Sequence, residues 1–200
     1  MRHLLLACSL ALFALTVIGC GGTRVERVDS DEIIDLSGKW NDTDSRLVAE
    51  EMIADSLSRP WIDNFSAREG RKPVVKIGRV VVRSNGDVID TEIFTNDLRR
   101  AFINSGRVRV VMSNAEAGQI RDEQAMQDVR ASEKSRKEGF QETGSDYLIV
   151  GSIKVQDDQE GRRKIKFYSV DLILTHAETG EQVWIGNKKI KKDVTESKYR

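Results

Sequence analysis

Cysteine is almost missing from this chain: Cys8 and Cys20 are the only two in 200 residues. A domain built from the residues beyond Cys20 has no disulfide and no thiolate to offer a metal or a substrate. Histidine is as scarce, with His3 at the start and His176 alone in the body, which rules out a two-histidine metal set or a Cys–His pair. Proline occurs only at positions 60 and 73, so nothing stiffens the first forty residues. Net charge is absent too. The 32 basic and 32 acidic residues cancel, leaving no long-range field to draw the chain to nucleic acid.

The one long apolar run that is present opens the chain: MRHLLLACSLALFALTVIGC. It is too short and too unevenly flanked for a stable membrane span and has the layout of a secretory signal. Its last four residues, Val17-Ile18-Gly19-Cys20, resemble the bacterial lipobox, in which the cysteine receives a diacylglyceryl group and becomes the first residue of the mature protein. The expectation is a signal peptide over 1–19 and lipidation at Cys20. More than one acyl chain on that residue anchors stably, where a single chain is marginal. Gly21 stands where an aspartate marks inner-membrane retention in enterobacterial lipoproteins, which points to the outer membrane, periplasmic face. Cys8 leaves with the signal, so the domain folds without disulfides in an oxidising compartment.

Residues 20–39 are polar, charged and weakly patterned, and read as the lipidated cysteine followed by a short flexible tether. Twenty residues reach about 70 Å fully extended and about 25 Å as a relaxed coil. A globular domain is expected over 40–192 and a charged tail over 193–200. Within the domain the apolar pattern predicts a helix over 44–57, with Leu47, Val48, Met52, Ile53 and Leu57 on a broad face. KPVVKIGRVVVR, 72–83, is apolar on both faces and reads as a central strand. A helix over 91–104 carries Phe94, Leu98, Ala101 and Phe102 and stops at Gly106, a strand follows over 107–112, and one or two exposed helices fall in 115–142. Three strands, 146–156, 162–175 and 181–192, close the chain, joined by the short turns DDQEG and HAETG. The fold class is α+β, with helices packed on a mixed sheet that ends in a three-stranded antiparallel meander.

No nucleotide-binding glycine loop and no nucleophile elbow is present. The pairs Asp157–Asp158 and Asp122–Glu123 read as solvated loop acids, and His176 as a solvated turn residue. The run Asn41-Asp42-Thr43-Asp44-Ser45 invites comparison with a calcium loop, but counted from Asp42 it places Arg46 fifth, Leu47 sixth and Ile53 twelfth, where a ligand, a glycine and a glutamate are needed. As a helix start the same oxygens suit the free amides of the first turn. The chain is therefore expected to be no enzyme, with no metal, cofactor or small-molecule substrate.

Two surface features could bind a partner. With the last hairpin centred near 178–179, Lys166 faces Lys191 and Lys164 lies near Asp193, so that Arg162, Arg163, Lys164 and Lys166 join Lys188, Lys189, Lys191 and Lys192 at a basic end of the sheet. Lysines that blunt an edge strand and a surface for an acidic partner or anionic lipid are both open readings. In the same strand Tyr168, Val170, Leu172 and Leu174 share one face while Ile165 and Phe167 are apolar on the other. A bulge or an apolar partner patch accounts for that change of phase. Trp40 and Trp61, which flank the first helix, are expected to dock onto the domain.

The stretches SGKWNDTDSRLVAEEMI, KPVVKIGRVVVRSNGDVIDTEIFTNDLRRAFINSGRVRVV, IRDEQAMQD, GSDYLIVGSI and TGEQVWIGNKKIKK together resemble the LpoB-type outer-membrane lipoproteins over roughly residues 36–192. The resemblance implies a mixed-sheet domain of the TolB amino-terminal type. It also implies binding to a bifunctional, class A penicillin-binding protein, with stimulation of peptidoglycan synthesis. The best-known members reach through the peptidoglycan on a long proline-rich segment, and this tether is short and has no proline. The alternative is a non-enzymatic adaptor lipoprotein in another envelope-assembly or secretion complex.

Overall fold

A computed structural model of the chain describes residues 25–29, 32–112, 114–130 and 144–195. Cys20, the signal peptide, the second part of the charged stretch (131–142) and the end of the tail (196–200) lie outside the described residues. The chain separates into two compact units, Met1–Glu32 and Ile33–Arg200, and the architecture below belongs to the second.

The oxygen-rich run that begins at Asn41 is a helix start. Helix α1 spans Asp42–Ser58, and Asn41 caps it: its side-chain oxygen accepts from the Asp44 amide at 2.9 Å while Asp44 accepts from the Asn41 amide at 3.0 Å. This reciprocal pair satisfies two first-turn donors at once. α1 buries Val48, Ala49, Met52 and Ile53, whereas Leu47, expected on that face, is largely exposed. It ends because the residue before Pro60 is pushed out of helical geometry, and Arg59 is extended. Helix α2, Trp61–Glu69, was not anticipated. It has a proline before its first turn and a left-handed Gly70 after its last, and it buries Trp61, Ile62 and Phe65.

Strand β1 (Val74–Arg83), helix α3 (Thr91–Ser105), strand β2 (Arg109–Val111) and helix α4 (Asn114–Arg130) follow. The meander completes the chain with β3 (Tyr147–Glu160), β4 (Arg163–His176) and β5 (Gln182–Thr195). The fold is α+β, with one five-stranded mixed sheet in the order β2-β1-β3-β4-β5. β1 is parallel to both β2 and β3, and the last three strands are antiparallel. β5 runs through Thr195, so the first three residues assigned to the tail belong to the sheet.

The core lies between one face of the sheet and helices α1, α2 and α3. Phe94, Leu98 and Phe102 from α3 are fully buried with Ile149, Ile153, Val170, Leu172 and Leu174. Trp184 reaches from β5 to α1, where its Nε1 donates to Asp55 at 2.7 Å. Trp61 is docked as expected, edge-on to Tyr147 with ring centroids 5.0 Å apart.

The meander outgrows the rest of the sheet. β1 pairs β3 only as far as Arg83 with Lys154, so residues 155–160, 163–168 and 190–195 continue as a three-stranded blade with no fourth strand among the described residues. β3 and β4 pair without interruption from Glu160–Arg163 to Tyr147–His176, which removes the bulge as an account of the phase change in β4. Ile165 and Phe167 point away from the core because they alternate with Lys166 and Tyr168, which point toward it.

Candidate interaction site

The expected register of the last hairpin is wrong by one residue. The pairing shifts between Leu174–Trp184 and Thr175–Gln182, which inserts Val183 and places Lys166 opposite Lys192 and Phe167 opposite Lys191. A slip of one residue exchanges the two faces of a strand, so the predicted basic end is split between them.

On the core side, most of the cations are consumed by carboxylates. Lys166 is buried, with its Nζ 2.6 Å from Asp87 Oδ1, and Tyr168 OH lies 3.2 Å from Asp87 Oδ2. Burial opposes the charge on Asp87, but the hydrogen bonds from Lys166 and Tyr168 outweigh it and hold that carboxyl below its ordinary range. Burial, with Asp87 beside it, pushes the Tyr168 hydroxyl well above the usual phenol value. Lys164 pairs with Asp157 and Lys188 with Glu51, while Arg163, on the opposite face, pairs with Asp193. Lys192 bridges Asp35 and Asp44, each at 2.6 Å, and although burial works against its charge the two carboxylates raise its pKa. Lys166 is thus structural, which corrects the prediction that it presents charge to a partner, whereas Lys164 is half-buried in its pair with Asp157.

On the opposite face, four of the predicted residues come together. Ile165 and Phe167 are half-buried side by side on β4, Lys189 and Lys191 are exposed on β5, and with Gln156 and Asp158 of β3 they line a shallow groove of about 480 Å³. Cross-strand register sets its geometry: Gln156, Phe167 and Lys191 form one row, and Asp158, Ile165 and Asp193 the next. The floor is apolar, the β5 rim is cationic, and the β3 rim carries Asp158. Lys191 has no ion pair with a described residue, so its charge is available. Such a surface can seat an apolar side chain flanked by a carboxylate.

The polar groups of the groove are Gln156, Asp158, Lys189 and Lys191. Among the described residues no three His, Cys, Asp or Glu side chains converge as metal ligands, and no helix is long and apolar enough to cross a membrane. His176 is the last residue of β4. It stacks edge-on against Tyr147 at 5.2 Å and accepts from the Thr179 amide at 3.4 Å, which makes it a half-buried packing residue and not a solvated one. A second, larger cleft of about 680 Å³ lies among Lys76, Gly78 and Arg79 of β1, Arg99 of α3 and Glu116 of α4. Arg99 there is paired with Glu116 at 3.0 Å, so this cleft is a partly neutralised helix–sheet seam.

The model of the peptidoglycan-synthase activator LpoB family matches residues 44–190, and the chain belongs to that family. No curated protein sequence matches it. Among solved structures, the LpoB C-terminal domain from Salmonella enterica is 18% identical, with a TM-score of 0.43 over 74% of this chain and 99% of that one. The LpoB C-terminal domain from Escherichia coli is 20% identical, with a TM-score of 0.37 over 66% and 94%. Lipoprotein GNA1162 from Neisseria meningitidis is 13% identical, with a TM-score of 0.39 over 60% and 83%.

Proposed function

We propose that this member of the peptidoglycan-synthase activator family is a non-catalytic envelope lipoprotein. It is acylated at Cys20 after loss of residues 1–19 and anchored to the periplasmic face of the outer membrane. It binds a bifunctional class A penicillin-binding protein and stimulates glycan polymerisation and peptide cross-linking. The family match over residues 44–190 carries this reading. The groove on the blade supports it: Ile165 and Phe167 offer an apolar floor and Lys189 and Lys191 a cationic rim, without any catalytic group. The synthase surface that fits has an apolar side chain beside an acidic one.

The test is reconstitution of the acylated chain with the cognate synthase in detergent, following glycan-strand length and cross-linking. Stimulation that Phe167→Glu abolishes, with thermal unfolding unchanged, is the expected result. No stimulation at saturating concentration sinks the proposal. Capture of a different envelope complex from cross-linked membranes, with no synthase enriched, would establish the adaptor alternative instead. For the anchor, Cys20→Ala is expected to remove the lipid label, and a label that persists rejects the lipobox assignment.

A further inference from the structure

The last part of the predicted tether belongs to the folded unit, which begins at Ile33. Residues 33–41 lie against the core-side face of the blade, gripped by polar side chains. Lys192 Nζ is 2.6 Å from Asp35 Oδ1 and 3.1 Å from the Lys39 carbonyl oxygen. Tyr168 OH is 3.1 Å from the Gly38 carbonyl oxygen, and Asn41 Nδ2 donates to the Ile34 carbonyl at 3.2 Å and to Asp35 at 2.9 Å. Gly38 has φ 63°, and a Cβ there would sit 2.2 Å from a Val194 methyl, so this position admits only glycine while the segment is docked.

Trp40 packs against the core, but the apolar side chains before it are left in water: Leu36 is 92% and Ile33 66% exposed. Residues 33–39, held by a few polar contacts with Ile33 and Leu36 in water, belong to the low end of local stability. Yet what it grips is the blade. Tyr168, Ile190, Lys192 and Val194 on the gripped face alternate with Phe167, Lys189 and Lys191 of the groove on the same two strands. Beyond Arg83 no further strand of the described residues flanks the blade beside β3, and Trp40, at the end of the segment, stacks on Tyr168 with centroids 5.6 Å apart.

We infer that residues 33–39 are a releasable strap that braces the blade while docked, and that tension on the preceding chain peels it away and loosens the Ile165–Phe167 groove. The coupling is reciprocal: whatever fills the groove also favours the docked strap. Release changes reach as well. The roughly 13 residues of 20–32 extend at most about 45 Å, and freeing 33–39 adds about 25 Å. The inference concerns regulation of the proposed site and relies on that reading only for the identity of the occupant.

Gly38→Val tests it, because the substitution acts on the strap and leaves every blade residue intact. In the full chain, with Cys8 and Cys20 replaced by serine, spin labels at Leu36→Cys and Glu178→Cys report the strap by electron–electron distance. Hydrogen exchange of blade amides in 164–168 and 190–194 reports the groove. Expected are a narrow distance distribution that broadens in Gly38→Val and blade exchange about tenfold faster, with α3 and the Tyr147 end of β3 unchanged. A broad distribution in the parent protein, or strap release with blade exchange unaltered, overturns the inference. No partner is present in these measurements. A synthase indifferent to Phe167→Glu would therefore reject the groove reading and leave this result standing.

Discussion

Two parts of one sheet are stabilised by different physics. Where β1, β3 and β4 run under α1 and α3, the contacts are fully buried Phe94, Leu98, Phe102, Ile149 and Leu172. Where the blade projects past β1, the core-side face instead holds the Lys166–Asp87 pair, the Tyr168 hydroxyl and Lys192 between Asp35 and Asp44. Hydrophobic burial neither titrates nor is screened by ions, whereas charge pairs respond to pH and to ionic strength. The comparison teaches that the region carrying the groove is also the region whose order can be adjusted without unfolding the domain.

Phe94→Ala is expected to cost about 3–5 kcal/mol of global stability, read by denaturant unfolding, because a fully buried ring leaves a cavity. Asp87→Ala is next, at about 3 kcal/mol, since it strands a buried ammonium. Its effect should be confined to the blade, so hydrogen exchange should quicken over 163–168 far more than over α3. An equal effect on both would erase the distinction.

Acid and base sharpen the same contrast. Asp87 has a folded pKa below its unfolded value, so its contribution is present above about pH 4 and is lost as pH falls through the lower folded value. Asp146, which is lowered mainly by the Arg71 hydrogen bond and also accepts from the Val74 amide, has the same sign at the other end of the sheet. Both ends weaken in acid, and the blade, with less hydrophobic burial behind it, should lose amide protection at a higher pH. Lys192 and Tyr168 have folded values above their unfolded ones. Their contribution is complete below about pH 10 and declines as pH rises above it, so the Leu36 label should gain mobility in that range before the core unfolds. The smallest effect belongs to Lys191→Ala. Stability should change by less than about 0.5 kcal/mol, while the apparent affinity for the synthase falls and loses salt dependence.

Most elements were legible because each depends on local chemistry. The Asn41–Asp44 capping box, the αL glycine at 106 and the Phe94–Leu98–Phe102 spacing are written in neighbouring residues. The missed helix α2 had signals of the same kind in Pro60 and Gly70, with Trp61, Ile62 and Phe65 at helical spacing between them. The groove was half legible. Ile165, Phe167, Lys189 and Lys191 could be singled out by type, but Lys164 and Lys166 could not be told apart from them, since the Val183 insertion that sets the faces is a property of pairing. The strap was illegible: 33–39 looks like linker, and its partners Tyr168 and Lys192 lie more than 120 residues away.

By itself the sequence determined most of the secondary-structure order, the scarcity of cysteine and histidine, and the family resemblance, because these follow from residue type and short-range spacing. Only the tertiary structure decided which lysines are buried latches and which are free. That choice depends on strand register and on carboxylates brought in from Asp35, Asp44 and Asp87, and no local pattern encodes either.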